Sequence, residues 1–158
     1  VWEAALFANH FRLNNLIAII DHNKMQSLDY CENTLKLESL KDKWKSFGWN
    51  ALEIDGHDHE QIRKAINSFD VDGPTVIIAD TVKGKGISFM ENDILWHYRF
   101  PHDGWEYDCA VNELHKSKPE GVEDIYTPAG ITNSCLPDEN ADIGQDHTMS
   151  AGYHPTKF

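Results

Sequence analysis

The sequence predicts an α/β fold, a parallel sheet with flanking helices, on three observations. Short apolar runs typical of strands covered on both faces stand at Leu16–Ile20, Ala51–Ile54 and Thr75–Ala79. Segments with apolar residues three and four positions apart precede or separate these runs, as in amphipathic helices. Each run is followed directly by an aspartate and a polar loop. Strands that alternate with helices in this way are joined by crossovers and pair in parallel.

The first half of the chain supplies two helices around the first two strands. A helix is predicted for Glu3–Phe11, and Arg12-Leu13-Asn14-Asn15 ends it before the first strand. A second helix, Leu40–Phe47, is closed by Gly48, because glycine readily adopts the left-handed conformation that ends helices. Three aromatic residues of this region are interpreted as core rather than as cofactor-stacking groups: Trp44, Phe47 and Trp49.

The second half supplies two more helices and the third strand. Asp58 is predicted to cap a helix in a capping box with Gln61. A turn at Asp72-Gly73-Pro74 leads into the third strand, and the last helix, Trp105–His115, has Asp103 as its predicted cap. The apolar face of the helix after Asp58 comprises Ile62, Ala65, Ile66 and Phe69. Residues 1–118 are expected to form the domain, and residues 119–158, rich in Gly, Pro, Asn and Asp, an irregular tail.

Composition excludes several classes of function. The formal net charge of -12 argues against nucleic acid, which proteins bind through clustered Lys and Arg. The sequence has no apolar run of the roughly 20 residues that a membrane helix needs, and its start does not resemble a secretion signal. Three widely spaced cysteines without metal-binding spacing indicate reduced thiols. We therefore expect a cytoplasmic protein that acts without a membrane or nucleic acid partner.

The loops after the strands predict a small-molecule site, since ligands bind at the carboxyl edge of an open parallel sheet. Asn23, beside an exposed backbone carbonyl, offers oxygen ligands suited to magnesium, although an asparagine after a strand is more often a turn residue. Lys83-Gly84-Lys85-Gly86 suits an anion through its backbone N–H groups, with a flexible basic turn as the alternative.

Two further residues have a functional and a structural interpretation. His97 suits a hydrogen bond to a phosphate or acid–base work near neutrality, and equally a partly buried structural histidine. Glu3 suits a buried acid at an interface, and equally an ordinary first-turn glutamate favoured by the helix dipole. Each of these signals is weak when it is taken singly.

Taken together, several stretches resemble the cofactor domain of transketolases over about residues 1–131. The most specific runs from Thr81 to Asn92 and is followed by Trp96-His97. It is most similar to the short, separately encoded N-terminal subunits of split transketolases. The other matching stretches are Val1–Ala5, Asn15–Lys24, Phe47–Trp49, Ile54–Asp58 and Pro74–Ala79.

The resemblance implies a thiamine diphosphate-binding fold and roles for single residues. Asn23 and the Met25 carbonyl correspond to magnesium ligands, and Ser27 to a contact with the cofactor rings. His97 corresponds to a catalytic histidine that touches the diphosphate near the substrate. Glu3 corresponds to a catalytic acid in the carboxylate network that joins two active sites of a dimer. The loop that includes Lys83 and Gly84 falls close to the cofactor.

The sequence departs from the family at its start, where a Gly-Asp-Gly segment and its strand are expected before Val1. The resemblance implies transfer of a two-carbon ketol unit between sugar phosphates, within an oligomer that includes a pyrimidine-binding domain or C-terminal subunit. We expect this segment alone to be inactive, with weak or no cofactor binding. Two alternatives stay open: another thiamine diphosphate enzyme, similar to deoxyxylulose-phosphate synthase, and a non-catalytic interaction subunit. An in-frame upstream Gly-Asp-Gly favours an enzyme.

Overall fold

The computed structural model describes residues 1–68 and 72–122. A first compact unit covers Val1–Phe100, and a second begins at Pro101. The first unit contains a three-stranded sheet, and the described part of the second contains one helix. The predicted tail from residue 119 lies almost wholly outside the described residues, so the domain boundary at 118 stays a prediction.

The sheet is parallel throughout, which confirms the predicted fold class. Its strands are β1 (Ile17–His22), β2 (Asn50–Asp55) and β3 (Thr75–Asp80), in the spatial order β1-β3-β2. The last strand in sequence is therefore central and pairs with both others. Residues of all three strands align in register, so that Ile19 and Leu52 both lie beside Ile77.

The predicted helices are all present. Three of them end within two residues of the prediction, whereas the helix after Asp58 ends at Ile66, three residues before Phe69. A four-residue helix and a short 3-10 helix were not expected, because segments of this length carry too little periodicity to be recognised. The helices are α1 (Trp2–His10), α2 (Cys31–Thr34), α3 (Leu40–Ser46), α4 (His59–Ile66), the 3-10 helix Ile94–His97 and α5 (Trp105–Ser117).

Two predicted caps differ in detail from the structure. Asp58 caps α4 by accepting from the backbone N–H groups of Glu60 and Gln61, as predicted. The Gln61 side-chain oxygen, however, accepts from the backbone N–H of Asp55 at 3.0 Å, so the reciprocal half of the capping box is not made to Asp58. Helix α5 is capped by Gly104 and not by Asp103. Glycine has no side chain, so this end of the helix has no side-chain cap bond.

The core on one face of the sheet is built from small residues of α1 and large aromatics of the α3–β2 region. Trp44 and Trp49 are buried and their ring centroids lie 4.8 Å apart. The Trp49 indole N–H donates to the Ala5 carbonyl at 2.9 Å, which ties α1 to the start of β2. The interpretation of these aromatics as core is confirmed, with Phe47 packed at the edge of the cluster.

Gly48 lies between α3 and β2 with φ +81°, as the predicted helix end requires. A Cβ at this position would lie 2.4 Å from the Asn9 side chain, so any other residue would also require the Asn9 side chain to move. Phe69, predicted to extend the apolar face of α4, lies outside the described residues. No helix within residues 1–68 and 72–122 has the length and apolar character needed to cross a membrane.

Candidate functional site

The carboxyl ends of the three strands meet at one edge of the sheet, as predicted. His22 and Asp55 both align with Asp80 at the end of the central strand. Lys24 forms an ion pair with Asp80, with Nζ and Oδ1 2.8 Å apart, and the Thr81 hydroxyl donates to Asp21. The segments after β1 and β3 are thereby joined through their polar side chains.

His22 lies between two carboxylates at this edge. Its Nδ1 is 3.4 Å from Asp80 Oδ1 and its Nε2 is 3.6 Å from Glu38 Oε1. The backbone N–H of Glu38 itself is the largest cause that lowers the pKa of that carboxyl, and Leu37 and His22 act in the same direction. Glu38 therefore stays an anion near His22 over the neutral pH range.

We call residues 23–30 the Asn23 loop. Asn23 Nδ2 donates to Asp21 Oδ2 at 3.1 Å, and Asn23 Oδ1 accepts from the Met25 N–H at 2.9 Å. Lys24 has φ +65°, and its carbonyl accepts from the Cys31 N–H at 2.8 Å, which closes the loop. Asn23 is thus a turn residue with a fixed amide, and the turn and ligand interpretations are compatible, since an amide oxygen can accept twice.

This donor set fits magnesium in its chemistry. The Asn23 amide oxygen and the Met25 carbonyl are neutral, hard oxygens of the kind Mg²⁺ takes when phosphates supply much of the negative charge. Residues 1–68 and 72–122 contain no group of three or more His, Cys, Asp or Glu able to hold a metal by themselves. A magnesium ion here would thus depend on ligands beyond the Asn23 loop.

We call residues 82–92 the glycine loop. The Asn92 N–H donates to the Lys83 carbonyl at 2.9 Å, so the two ends of the loop meet. Glu91 Oε1 accepts from the Gly86 N–H at 3.1 Å and lies 3.6 Å from Lys85 Nζ. The loop is therefore closed by its own contacts, Lys83-Gly84-Lys85-Gly86 forms a turn as in the alternative interpretation, and its role in binding an anion stays a prediction.

Gly84 could not be replaced in this loop without strain. Its φ is +75°, and a Cβ would lie 2.4 Å from the Met90 carbonyl oxygen. The backbone of the loop thus folds back closely over position 84. Lys83, beside it, is half-buried and Lys85 is exposed.

His57 positions the start of the glycine loop. Its Nε2 accepts from the Val82 N–H at 2.8 Å, so the imidazole presents an unprotonated Nε2 to the backbone. Gly56, the residue before it, lies so near β3 that a Cβ would approach Thr81 Cγ2 to 2.4 Å. The Asp55-Gly56-His57 turn after β2 therefore fixes the backbone after β3.

His97 ends the 3-10 helix, and its side chain is exposed. Asp93 caps this helix by accepting from the Leu95 N–H at 2.9 Å. The His97 ring lies edge-on to the Tyr98 ring, with centroids 4.9 Å apart, and the Tyr98 hydroxyl donates to the Ser27 carbonyl at 2.7 Å. The structure thus places the segment of His97 beside Ser27 of the Asn23 loop.

A second long-range contact joins the two loops. The Tyr30 hydroxyl donates to the Asn92 carbonyl at 2.8 Å, at the point where the glycine loop closes. Neither tyrosine was singled out from the sequence, because a phenol in a polar loop has no characteristic spacing. What the sequence did offer was their closeness to residues predicted to contact the cofactor. Tyr30 is three positions after Ser27, and Tyr98 directly follows His97.

Glu3 does not belong to this group of contacts in the described part of the chain. It lies in the first turn of α1 with an exposed side chain, at a favourable position for the helix dipole. The predicted role of Glu3 at an interface stays a prediction.

A parallel α/β sheet whose carboxyl edge presents a fixed asparagine turn and a closed glycine loop defines the class of α/β cofactor-binding domains. Residues 1–98 match the sequence model described as the thiamine diphosphate binding domain of transketolase. The chain belongs to the transketolase family, as its sequence indicated.

Curated relatives include proteins that are named as subunits. One, from the apulose-4-phosphate transketolase of Phocaeicola vulgatus, is 40% identical over 116 residues, which are 72% of this chain and 41% of the relative. The 6-deoxy-6-sulfo-D-fructose transketolase subunit SqwG of a Clostridium species is 42% identical over 119 residues, 73% of this chain and 42% of the relative. The chain thus spans about two fifths of the length of these relatives.

Proteins named simply as transketolases also match. The human enzyme is 38% identical over 97 residues, 61% of this chain and 15% of the relative. Among solved structures, the transketolase of Campylobacter jejuni superposes with a TM-score of 0.54 and 31% identity, over 60% of this chain and 15% of that one. These likenesses agree with the fold and leave most of each relative without a counterpart here.

Proposed function

We propose that this chain is part of a thiamine diphosphate- and magnesium-dependent transferase that moves a two-carbon ketol unit between sugar phosphates. The observation that carries the proposal is the fixed Asn23 turn, which lies in the matched cofactor domain and contacts the segment of His97 through Tyr98. The relatives named as apulose-4-phosphate and sulfofructose transketolase subunits support a ketose donor.

Each loop has one task in this proposal. Asn23 and the Met25 carbonyl would hold magnesium, and Asp21 keeps the amide of Asn23 in orientation. Ser27 would contact the cofactor rings. The backbone N–H groups of Lys83 and Gly84 would donate to anionic oxygens, and the Lys83 ammonium would add positive charge.

Thiamine diphosphate, when bound, supplies the electron sink for cleavage of a carbon–carbon bond. The exposed imidazole of His97 can donate a hydrogen bond to a phosphate oxygen or transfer a proton at a substrate hydroxyl near neutral pH. Glu3 would act at a distance, by hydrogen bonding across an interface with a second copy of the site.

The remaining parts of the enzyme are supplied from outside this segment. A pyrimidine-binding domain or C-terminal subunit completes the site, and the naming of the relatives as transketolase subunits supports such a partner. We assign the assembly to the cytoplasm, since the thiols show no disulfide or metal spacing. By itself the segment is expected to be inactive.

Calorimetric titration with thiamine diphosphate, in magnesium or in EDTA, tests the proposal. It is performed on this chain, on the chain extended upstream if the coding sequence continues in frame through a Gly-Asp-Gly segment, and on the assembly with its partner subunit. We expect magnesium-dependent binding by the complete assembly and little or none by this chain. Asn23→Ala should abolish or strongly weaken that binding, whereas Asn67→Ala, at the end of α4, should not change it.

Absence of magnesium-dependent binding by the complete assembly would reject the proposed function. Binding that survives in Asn23→Ala would reject the assigned metal ligand alone. Full-strength binding by this chain would show that the Asn23 and glycine loops suffice without the upstream segment.

A further inference from the structure

We infer that Tyr30 and Tyr98 are positioning residues that hold the Asn23 loop against the glycine loop and the segment of His97. The inference rests on the proposed function, because its importance lies in the spacing between groups that would contact one cofactor. Neither tyrosine is assigned a contact with the cofactor. Their task is to fix the backbone to which the contacting residues belong.

The two contacts cross long stretches of sequence. Tyr30 in the Asn23 loop donates to the carbonyl of Asn92, 62 positions further on. Tyr98 donates back to the carbonyl of Ser27 across 71 positions. The contacts thus run in opposite directions, one from each segment, and each ends on a backbone carbonyl rather than on a side chain that could turn away.

Each loop is otherwise closed on itself. The Lys24 carbonyl accepts from Cys31 in the first loop, and the Lys83 carbonyl accepts from Asn92 in the second. Such internal closure keeps the shape of a loop but does not set its distance from another loop. The tyrosine contacts act on that distance, at the carbonyl of Ser27 and at the closing point of the glycine loop.

Lys24 and Asp80 also connect the segments after β1 and β3, but nearer to the sheet. Both members of this ion pair are exposed to solvent over 56% of their side chains, so the pair is weak and salt-sensitive. The tyrosine contacts lie farther along both loops, and uncharged hydrogen bonds are less dependent on salt. Because of this position, they rather than the ion pair act on the distance between the outer parts of the two loops.

Removal of single hydroxyl groups tests the inference. Tyr30→Phe, Tyr98→Phe and the double variant are compared with Tyr107→Phe, a matched change on α5, in the complete assembly with its partner subunit. The dissociation constant for thiamine diphosphate is measured by calorimetry at fixed magnesium. We also measure kcat at saturating cofactor, and the melting temperature without cofactor.

We expect about threefold weaker cofactor binding for each variant and about tenfold for the double variant, because exposed neutral hydrogen bonds contribute modestly. The kcat at saturating cofactor should be nearly restored, and the melting temperature should stay close to that of the wild type. This combination distinguishes positioning from general stability, since a merely structural role would lower the melting temperature without a selective loss of cofactor affinity.

Unchanged affinity in the double variant, with normal binding by the wild type, would overturn the inference and leave the proposed function intact. A melting temperature lowered in proportion to affinity would overturn it in favour of a structural role. Failure of the wild-type assembly to bind the cofactor would reject the proposed function, and the inference with it.

Discussion

Ile19 in β1 and Ile77 in β3 are paired neighbours on adjacent strands, yet their surroundings differ completely. Their Cα positions align in the sheet, and alternation along the strands directs both side chains to the same face. Ile77 is 1% exposed, whereas Ile19 is 62% exposed. The same residue type in the same register is thus core in one strand and surface in the next.

The difference reflects the number of neighbours that each strand has. β3 pairs with β1 on one side and β2 on the other, and Val76, Ile77 and Ile78 are all buried. β1 has a strand on one side only among the described residues, and its residues are at best half-buried. Stability is therefore concentrated in β3, while the Asn23 loop extends from the less protected strand.

Truncation of the paired isoleucines should give the largest effect. Ile77→Ala leaves a cavity in a fully packed site and should lower the free energy of unfolding by about 2–5 kcal/mol. Ile19→Ala removes methyl groups that water already contacts, and should cost less than about 1 kcal/mol. Urea unfolding of both variants measures the two values directly.

The two stability losses show whether Ile19 is exposed or covered in solution. Equal losses in the two variants would show that Ile19 is covered in solution, for example by another strand or a partner, and that β1 is not an edge in the protein as it exists. A loss confined to Ile77→Ala would confirm the contrast.

A smaller loss of unfolding free energy is expected for a substitution in the glycine loop, which follows β3. Gly84→Ala should cost about 1–3 kcal/mol, because a residue with a side chain is strained at φ +75° and its Cβ would overlap the Met90 carbonyl. Gly121→Ala is the control, with φ +84° and, among the described residues, no atom within 4 Å of the added Cβ. Melting temperatures separate the two: equal shifts would mean that backbone conformation alone, without the overlap, accounts for the change.

The smallest change in stability is expected for a substitution of Asp58, which follows β2 and caps α4. Hydrogen bonds from Gln61, first from its backbone N–H and then from its side chain, lower the pKa of Asp58, with Glu60 also contributing. A carboxyl whose pKa falls on folding adds stability above its unfolded pKa of about 3.9, and this is lost as the pH falls through the folded value. The melting-temperature difference between wild type and Asp58→Asn should therefore shrink below about pH 4.

Asp58→Ala is the companion variant, because it removes the cap at every pH whereas asparagine retains much of it. It should melt below Asp58→Asn across the whole range. If the melting temperature of the wild type rose relative to that of Asp58→Asn as the pH fell, the direction of the pKa shift would be contradicted.

Most of the fold could be predicted because local patterns and tertiary structure agree. The apolar runs became strands, and Asp58 and Gly48 end elements as their chemistry requires. The order β1-β3-β2 has no such local signal, since it depends on which strands pack together. The exposure of Ile19 could not be predicted either, because Leu16–Ile20 has the apolar pattern of a strand covered on both faces.

The candidate site was predictable residue by residue, but its internal contacts were not. Asn23 and Gly84 have amide and backbone chemistry that can be recognised in a sequence. The contacts of Tyr30 with Asn92 and of His57 with Val82 depend on how three loops meet in space. Resemblance to transketolases assigned roles to the matched residues and gave no information about these supporting contacts.

The central position of the last strand also affects how the chain can fold during synthesis. A ribosome releases β1 and β2 well before β3, and neither of the first two strands pairs with the other. Among the described residues, β1 and β2 therefore have no strand partner until Thr75–Asp80 has emerged, and this part of the sheet then forms through contacts between distant parts of the sequence. Slow translation after Asp80, while β3 is still inside the ribosome, would prolong the interval in which these strands lack their central partner.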